Sequence, residues 1–204
     1  MADAAAEAQQ RETLLRELQH RVKNNFQTIL ASISVQTRRL EDPKAQRALE
    51  HVANRINAIS LAHDQLAPRQ NVDVVDMAGY LRALCSSIEQ QVDNVAIEVI
   101  ADEIELSIDR AVPLGLILNE AVTNSVKHAF GEHGGRITVR LQAGVGYGEA
   151  RLATSDNGRG IENPRPGGSG LKLIASLARQ IGGEVKQDSS AHGTSTEVTF
   201  PVIS

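Results

Sequence analysis

The chain has 204 residues, 41% of them hydrophobic and 23% charged, with a formal net charge of −4 and only 2% aromatic residues. That length suits one typical domain, or a small one with a helical appendage, and the composition is that of a soluble globular chain. The acidic balance and the scarcity of rings to stack on bases argue against a nucleic-acid surface, and the lone Cys85 excludes an internal disulfide or a cysteine-based zinc site.

From the start, residues 4–40 contain neither Pro nor Gly and are rich in Ala, Glu, Gln, Leu and Arg, which is strong helix composition. Leu15, Leu18, Val22, Phe26, Ile29, Ile33 and Leu40 recur at steps near three and four and make one apolar stripe. Glu41-Asp42-Pro43 breaks it, with Asp42 placed to cap the next helix and Pro43 at its first position. That second helix runs to about Leu66, with Leu49, Val52, Ile56, Ile59 and Leu66 on its apolar face. Two long helices joined by a short turn form an antiparallel hairpin. Its stripes bury little alone, so a homodimer pairing two hairpins into a four-helix bundle is expected.

Residues 67–71 read as a linker, dividing a hairpin at 1–67 from a second unit at 72–204. The second unit reads as helix over Met77–Val92, strands over Val95–Ile100 and Ile104–Ile108, and helix over Pro113–Phe130. Strands at Arg136–Ala143 and Glu149–Ser155 follow, joined by a glycine-rich turn, then a helix at Leu171–Ile181 and strands at Glu184–Asp188 and Ser195–Val202. The expected class is α plus α+β, with helices on one face of a mixed sheet. No apolar run approaches the ~20 residues that span a bilayer, and MADAAAEAQQRE lacks the apolar core of a signal peptide. A cytoplasmic chain without direct membrane insertion is expected, either whole or the core of a longer protein.

Four stretches carry chemistry. In ELQHRVKNNFQTIL, His20 lies roughly 200° around the helix from both Leu18 and Val22, so it points away from the apolar stripe. Arg16, Lys23, Asn24 and Gln27 share its side. A neutral, exposed imidazole offers a nucleophilic nitrogen, and the basic neighbours suit a phosphate or an acidic partner. Taken alone, it is an ordinary solvated side chain, and His51, His63, His128, His133 and His192 have no metal-ligand grouping. In LNEAVTNSVKHAF, Glu120, Asn124 and His128 are spaced four apart beside Lys127, opposite a face of Leu114, Ile117, Leu118, Ala121 and Ser125. A carboxylate and a carboxamide one turn apart can share a hydrated Mg²⁺ and its phosphates, although most polar stripes are solvated faces. SDNGRGI follows a strand and is either a tight turn or a carboxylate, Asp156, aimed at a purine amino group beside close-approaching glycines. GGSGLKL opens a helix, where backbone N–H groups bind phosphate, and it is neither a Walker A loop nor a Rossmann fingerprint.

In this order the four stretches resemble the sensor histidine kinases over about residues 10–202. ELQHRVKNNFQTIL resembles the H-box of the subfamily related to the HWE kinases. LNEAVTNSVKHAF resembles the N-box, and SDNGRGI and GGSGLKL resemble the two glycine boxes. The resemblance implies a Bergerat (GHKL) type α/β sandwich that binds ATP with Mg²⁺. It implies His20 as phosphoacceptor, Glu120 as the group that orients or deprotonates it, and Asn24 as a residue that helps dephosphorylate the partner. Asn124 would hold Mg²⁺, Lys127 would touch phosphate and Asp156 would read adenine. Gly158 and Gly160 would shape the adenine pocket. Gly168, Gly170 and Leu171 would line the lid and phosphate site, with Thr194 in the closing strand segment. The implied partner is the receiver domain of a response regulator. Two positions depart from the commoner pattern: Arg21 follows His20 where an acid is usual, and Lys172 stands where many kinases have Gly. The other readings are a phosphotransfer scaffold with a degenerate ATPase domain, or a serine kinase of the anti-sigma type, which has no need of the His20 helix.

Overall fold

The computed structural model describes residues 2–69, 72–131, 134–161 and 169–202; Gly168, Asn71 and His133 lie outside the described residues. The chain opens with α1 (Ala2–Arg39) and α2 (Pro43–Asp64), packed against each other as the expected hairpin. Asp42 accepts from the Lys44 amide at 2.8 Å and Pro43 takes the first helical turn, so the turn is built as the sequence predicts. Near the open end Lys23 Nζ meets Asp64 Oδ2 at 2.7 Å, and the rings of Phe26 and His63 lie 5.7 Å apart.

Where the sequence reads as a linker, the chain instead forms β1 (Leu66–Arg69), paired antiparallel with β2 (Val72–Asp76). Pro68 is compatible with this because β1 is an edge strand, where a missing N–H costs no ladder bond. Next come α3 (Met77–Glu89), capped by Asp76, then β3 (Val95–Ala101) and β4 (Glu105–Ser107). The short β4 pairs with β2 and completes a three-stranded sheet. The long α4 (Ile108–His128) begins ahead of Pro113, and that proline sits inside the helix rather than at its start.

The main sheet adds β5 (Gly135–Gly146), β6 (Glu149–Asp156), β7 (Glu184–Ser190) and β8 (Gly193–Pro201), in the order β3-β5-β6-β8-β7. Only β3 and β5 run parallel, and their crossover contains α4. The inward residues alternate as period two demands: Ile137, Val139 and Leu141 on β5, Ala150 and Leu152 on β6, Val198 and Phe200 on β8. They meet α4 through Leu114, Ile117, Leu118 and Val122, and α5 (Ser169–Gln180) through Ile174 and Ala178. The result is a helical region followed by a mixed α/β domain, as expected. Among the described residues no helix is long and apolar enough to cross a membrane.

The two parts share one interface. Ala58 and Ala62 of α2 are fully buried, and Tyr80 of α3 donates its hydroxyl to the Ala58 carbonyl at 2.8 Å. Asn57 of α2 reaches Ser87 of α3 at 3.0 Å. Helix α2 therefore packs on α1 with one face and on α4 with another.

Candidate functional site

Asp156 ends β6, and its carboxylate is fixed by three donors. Oδ1 accepts the Gly158 and Thr194 amides at 3.0 and 3.1 Å, while Oδ2 accepts the Ser125 hydroxyl at 2.7 Å. Its residue is 8% exposed, so the group is aimed rather than free, and Oδ2 keeps a lone pair for one more donor. Gly160 is buried with φ of 68°, and a Cβ added there would come within 1.9 Å of the Ser190 carbonyl oxygen. The strand pair β7–β8 and the turn after β6 can close together only around glycine at this position. The Thr194 hydroxyl lies 3.0 Å from Ser189 Oγ.

One helical turn beyond this floor, Glu120 and Asn124 lie side by side on α4 under the first turn of α5. A Cβ at Gly170 would stand 3.2 Å from Asn124 Nδ2 and 3.4 Å from Glu120 Oε2. The glycine thus leaves open the space between the two polar groups and the helix start, and backbone N–H groups at such a start favour phosphate. Leu171, 37% exposed, follows it at the rim. These features fit a nucleotide and its metal: a fixed, nearly buried carboxylate, an open helix start, and an amide oxygen of the hard kind that Mg²⁺ prefers. Among the described residues no group of three or more His, Cys, Asp or Glu side chains could hold a metal. A Mg²⁺ would accordingly rest on Asn124 and on phosphate oxygens.

Two members of this site are engaged by α2. Arg55 Nε and Nη2 both donate to Glu120 Oε1, at 3.1 and 3.0 Å. Glu120 is nearly buried, its side chain 5% exposed against 41% for Arg55. Lys127 Nζ lies 3.0 Å from His51 Nε2. An ammonium has only donors, so this imidazole is neutral and accepts. Burial, and then the Lys127 charge, hold His51 below its usual range for protonation, against an opposing pull from Glu120.

The other proposed centre is elsewhere. His20 and Asn24 are exposed on α1, and the Arg16 side chain lies outside the described residues. Of the basic residues placed around His20, Lys23 is tied to Asp64, and Arg21 pairs with Glu17 at 2.7 Å. The Lys23–Asp64 contact fixes the height of α1 against α2. The helical rise over Arg55–Asp64 and over Lys23–His20 then puts His20 roughly 18 Å along the hairpin from the Glu120 level. The structure gathers Glu120, Asn124, Lys127, Asp156, Gly158, Gly160, Gly170 and Thr194 on one side and leaves His20 and Asn24 apart from them.

Three residues were not legible as partners. Ser125, grouped with the apolar face, bonds Asp156; its i+1 place after Asn124 gives no hint of this. Arg55 and His51 look like ordinary polar helix residues because their partners are distant in sequence. His51 and Arg55 stand four apart on α2 while their partners Lys127 and Glu120 stand seven apart on α4, so spacing leaves no trace of the pairing.

Comparison with known proteins agrees with this layout. The family model described as histidine kinase matches residues 17–92, and the one described as histidine kinase-, DNA gyrase B-, and HSP90-like ATPase matches residues 109–204. Blue-light-activated histidine kinase 2 of Erythrobacter litoralis is 26% identical over 92% of this chain and 57% of its own length. Sensor histidine kinase PdtaS of Mycobacterium tuberculosis is 28% identical over 84% of this chain and 34% of its own. The chain thus spans between a third and somewhat over half of these relatives. Among solved structures, the histidine kinase domain of the Erythrobacter litoralis EL346 blue-light activated histidine kinase superposes with a TM-score of 0.67, at 25% identity, over 92% of this chain and 93% of that one.

Proposed function

We propose, from the premise that this chain belongs to the histidine kinases, that it is the two-component kinase core whose ATP site phosphorylates His20. The observation that carries the reading is the pairing of an aimed, nearly buried Asp156 with an open Gly170 turn over Glu120 and Asn124. Asp156 accepts the adenine amino group on Oδ2, and Gly158 and Gly160 let the backbone close around the nucleotide. The first turn of α5, with Gly170 and Leu171, receives the phosphates. Asn124 would supply an oxygen to Mg²⁺, which when bound would neutralise phosphate charge. Lys127 turns to the phosphates once released from His51.

In the transfer, a neutral His20 nitrogen forms a bond to the γ-phosphorus in line with the bond to the leaving oxygen, and ADP departs. Glu120 orients the imidazole or takes its proton. Positioning and fixed charge supply most of the rate. The phosphoryl group then passes from His20 to an aspartate of a receiver domain, which docks on the His20 face of α1 beside Asn24.

The hairpin dimerises through the opposite face. Leu14, Leu18 and Ile29 are 54%, 58% and 45% exposed. They fall within about 60° of one another on α1 and roughly 120–180° from His20. A homodimeric four-helix bundle covers that stripe and leaves both His20 side chains outside. The proposed units are 1–67 for the hairpin and 72–204 for the ATP-binding domain.

Calorimetric titration with ATP tests the site. The chain is expected to bind ATP more tightly with Mg²⁺ than without, and Asn124→Ala is expected to abolish that difference. A folded chain that binds no nucleotide would move the reading to a phosphotransfer scaffold.

A further inference from the structure

One face of α2 carries His51 and Arg55, which meet α4, and the buried Ala58 and Ala62, the first bonded by Tyr80 of α3, at spacings of four, three and four. Ala58 and Ala62 are fully buried and Tyr80 bonds the Ala58 carbonyl, so this is a packed interface with a polar end. At that polar end α2 takes hold of Glu120 and Lys127, two groups that the kinase reading needs for chemistry.

We propose that α2 is an inhibitory latch on the ATPase domain, with Arg55 on Glu120 and His51 on Lys127, and that transfer to His20 requires both to let go. This rests on the kinase reading. Three observations carry it. First, both Arg55 donors end on Glu120 Oε1, so in this arrangement the carboxylate is committed to the guanidinium and not to an imidazole. Second, the Lys127 ammonium is directed at an imidazole acceptor rather than toward phosphate. Third, the arrangement that forms these contacts leaves His20 roughly 18 Å away along the hairpin axis. A partner hairpin related by a two-fold axis along the bundle carries its own His20 at the same height. The latched arrangement therefore delivers phosphate to neither histidine, whichever subunit donates.

The burial asymmetry explains why the contact is a latch and not a decoration. Glu120 is nearly buried, while Arg55 remains substantially exposed. The guanidinium leaves at modest cost into water, and the carboxylate it uncovers lies at the mouth of the site. The equilibrium between the two arrangements then sets the rate, and any factor weakening the latch raises the open population by the same factor until opening saturates. The opposite assignment makes Arg55 a catalytic group that stabilises charge on the transferring phosphoryl. The two assignments predict opposite signs.

The experiment measures initial rates of His20 labelling at saturating ATP and Mg²⁺ for the unmodified chain, Arg55→Gln, His51→Ala and the double variant. Each single variant is expected to label faster, by several-fold and up to roughly tenfold for Arg55→Gln, the range for a charge-assisted contact with one exposed partner. Slower or unchanged labelling by Arg55→Gln, with an active unmodified chain, overturns the latch. A second readout does not depend on activity. Spin labels at Glu41→Cys and Gln142→Cys, with Cys85 buried, report the separation of hairpin and sheet. In nucleotide-free protein Arg55→Gln must enlarge a second distance population, and an unaltered distribution overturns the latch even if no chain labels at all. Absence of label throughout with an enlarged second population counts against the kinase reading and leaves the latch standing.

Discussion

Replacing Asp156 with Asn removes a charge and an acceptor while keeping the shape of the side chain. The amide carbonyl can take over Oδ1 and keep the Gly158 and Thr194 N–H groups, now at 3.0 and 3.1 Å. Its NH₂ then faces Ser125, 2.7 Å away, whose hydroxyl can turn to accept. Three charge-assisted bonds become neutral ones, a loss of about 1–2 kcal/mol that a domain worth roughly 5–15 kcal/mol survives. Nucleotide binding fares worse. The adenine amino group loses a charged acceptor, worth about 1.5–3 kcal/mol, and meets a second donor in its place. The Kd for ATP should rise at least about tenfold and up to roughly a hundredfold. Calorimetry of binding, with urea unfolding in the same buffer, reads both effects. A folded Asp156→Asn chain that binds ATP within about twofold of the parent would refute the adenine assignment. Asp156→Ala is less informative, because it strips three donors of their acceptor and weakens fold and binding together.

Other expectations follow from the same geometry. His51, held below its ordinary value by burial and by Lys127 and Arg55, against Glu120 and Glu50, binds its proton more readily once α2 leaves α4. The packed arrangement is thus favoured above about pH 6.5 and weakens as pH falls below it. Label distances at about pH 5.5 should show more of the separated population than at about pH 7.5, and His51→Ala should abolish the difference. Tyr80→Phe removes the buried bond to Ala58 and should cost about 1 kcal/mol in urea unfolding, with ATP affinity unchanged. Burial, with Glu89 nearby, pushes the Cys85 thiol up to about 12, so thiol reagents at about pH 8 should modify it only after unfolding. Rapid modification of the native chain would contradict the packing of α3.

Much of the fold could be read locally. The Asp42-Pro43 signal fixed the hairpin turn, because capping chemistry is decided within three residues. Alternation along β5, β6 and β8 was legible because one face of the sheet is covered by helices and the other is not. Two elements were misread for physical reasons. Pro113 reads in the sequence as a helix start, whereas α4 begins at Ile108 and accommodates the ring on its buried side. Pro68 made 67–71 look like a linker, but an edge strand tolerates proline. The residues proposed for the nucleotide side are readable because they cluster in short motifs, each with local backbone chemistry. Their restraints were not: Arg55 meets Glu120, and His51 meets Lys127, only through the packing of two helices distant in sequence. The separation of His20 from Glu120 is likewise a property of helix register, marked by the Lys23–Asp64 contact, and no motif encodes it.

The most direct measurement is phosphoryl incorporation from γ-labelled ATP with Mg²⁺ into this chain, His20→Ala and Asn124→Ala. The account predicts label on the unmodified chain that is labile in acid, stable in base and absent from both variants. Label that persists in His20→Ala would mean that another residue is the acceptor, and a folded, ATP-binding chain that takes up no label would contradict the kinase reading itself.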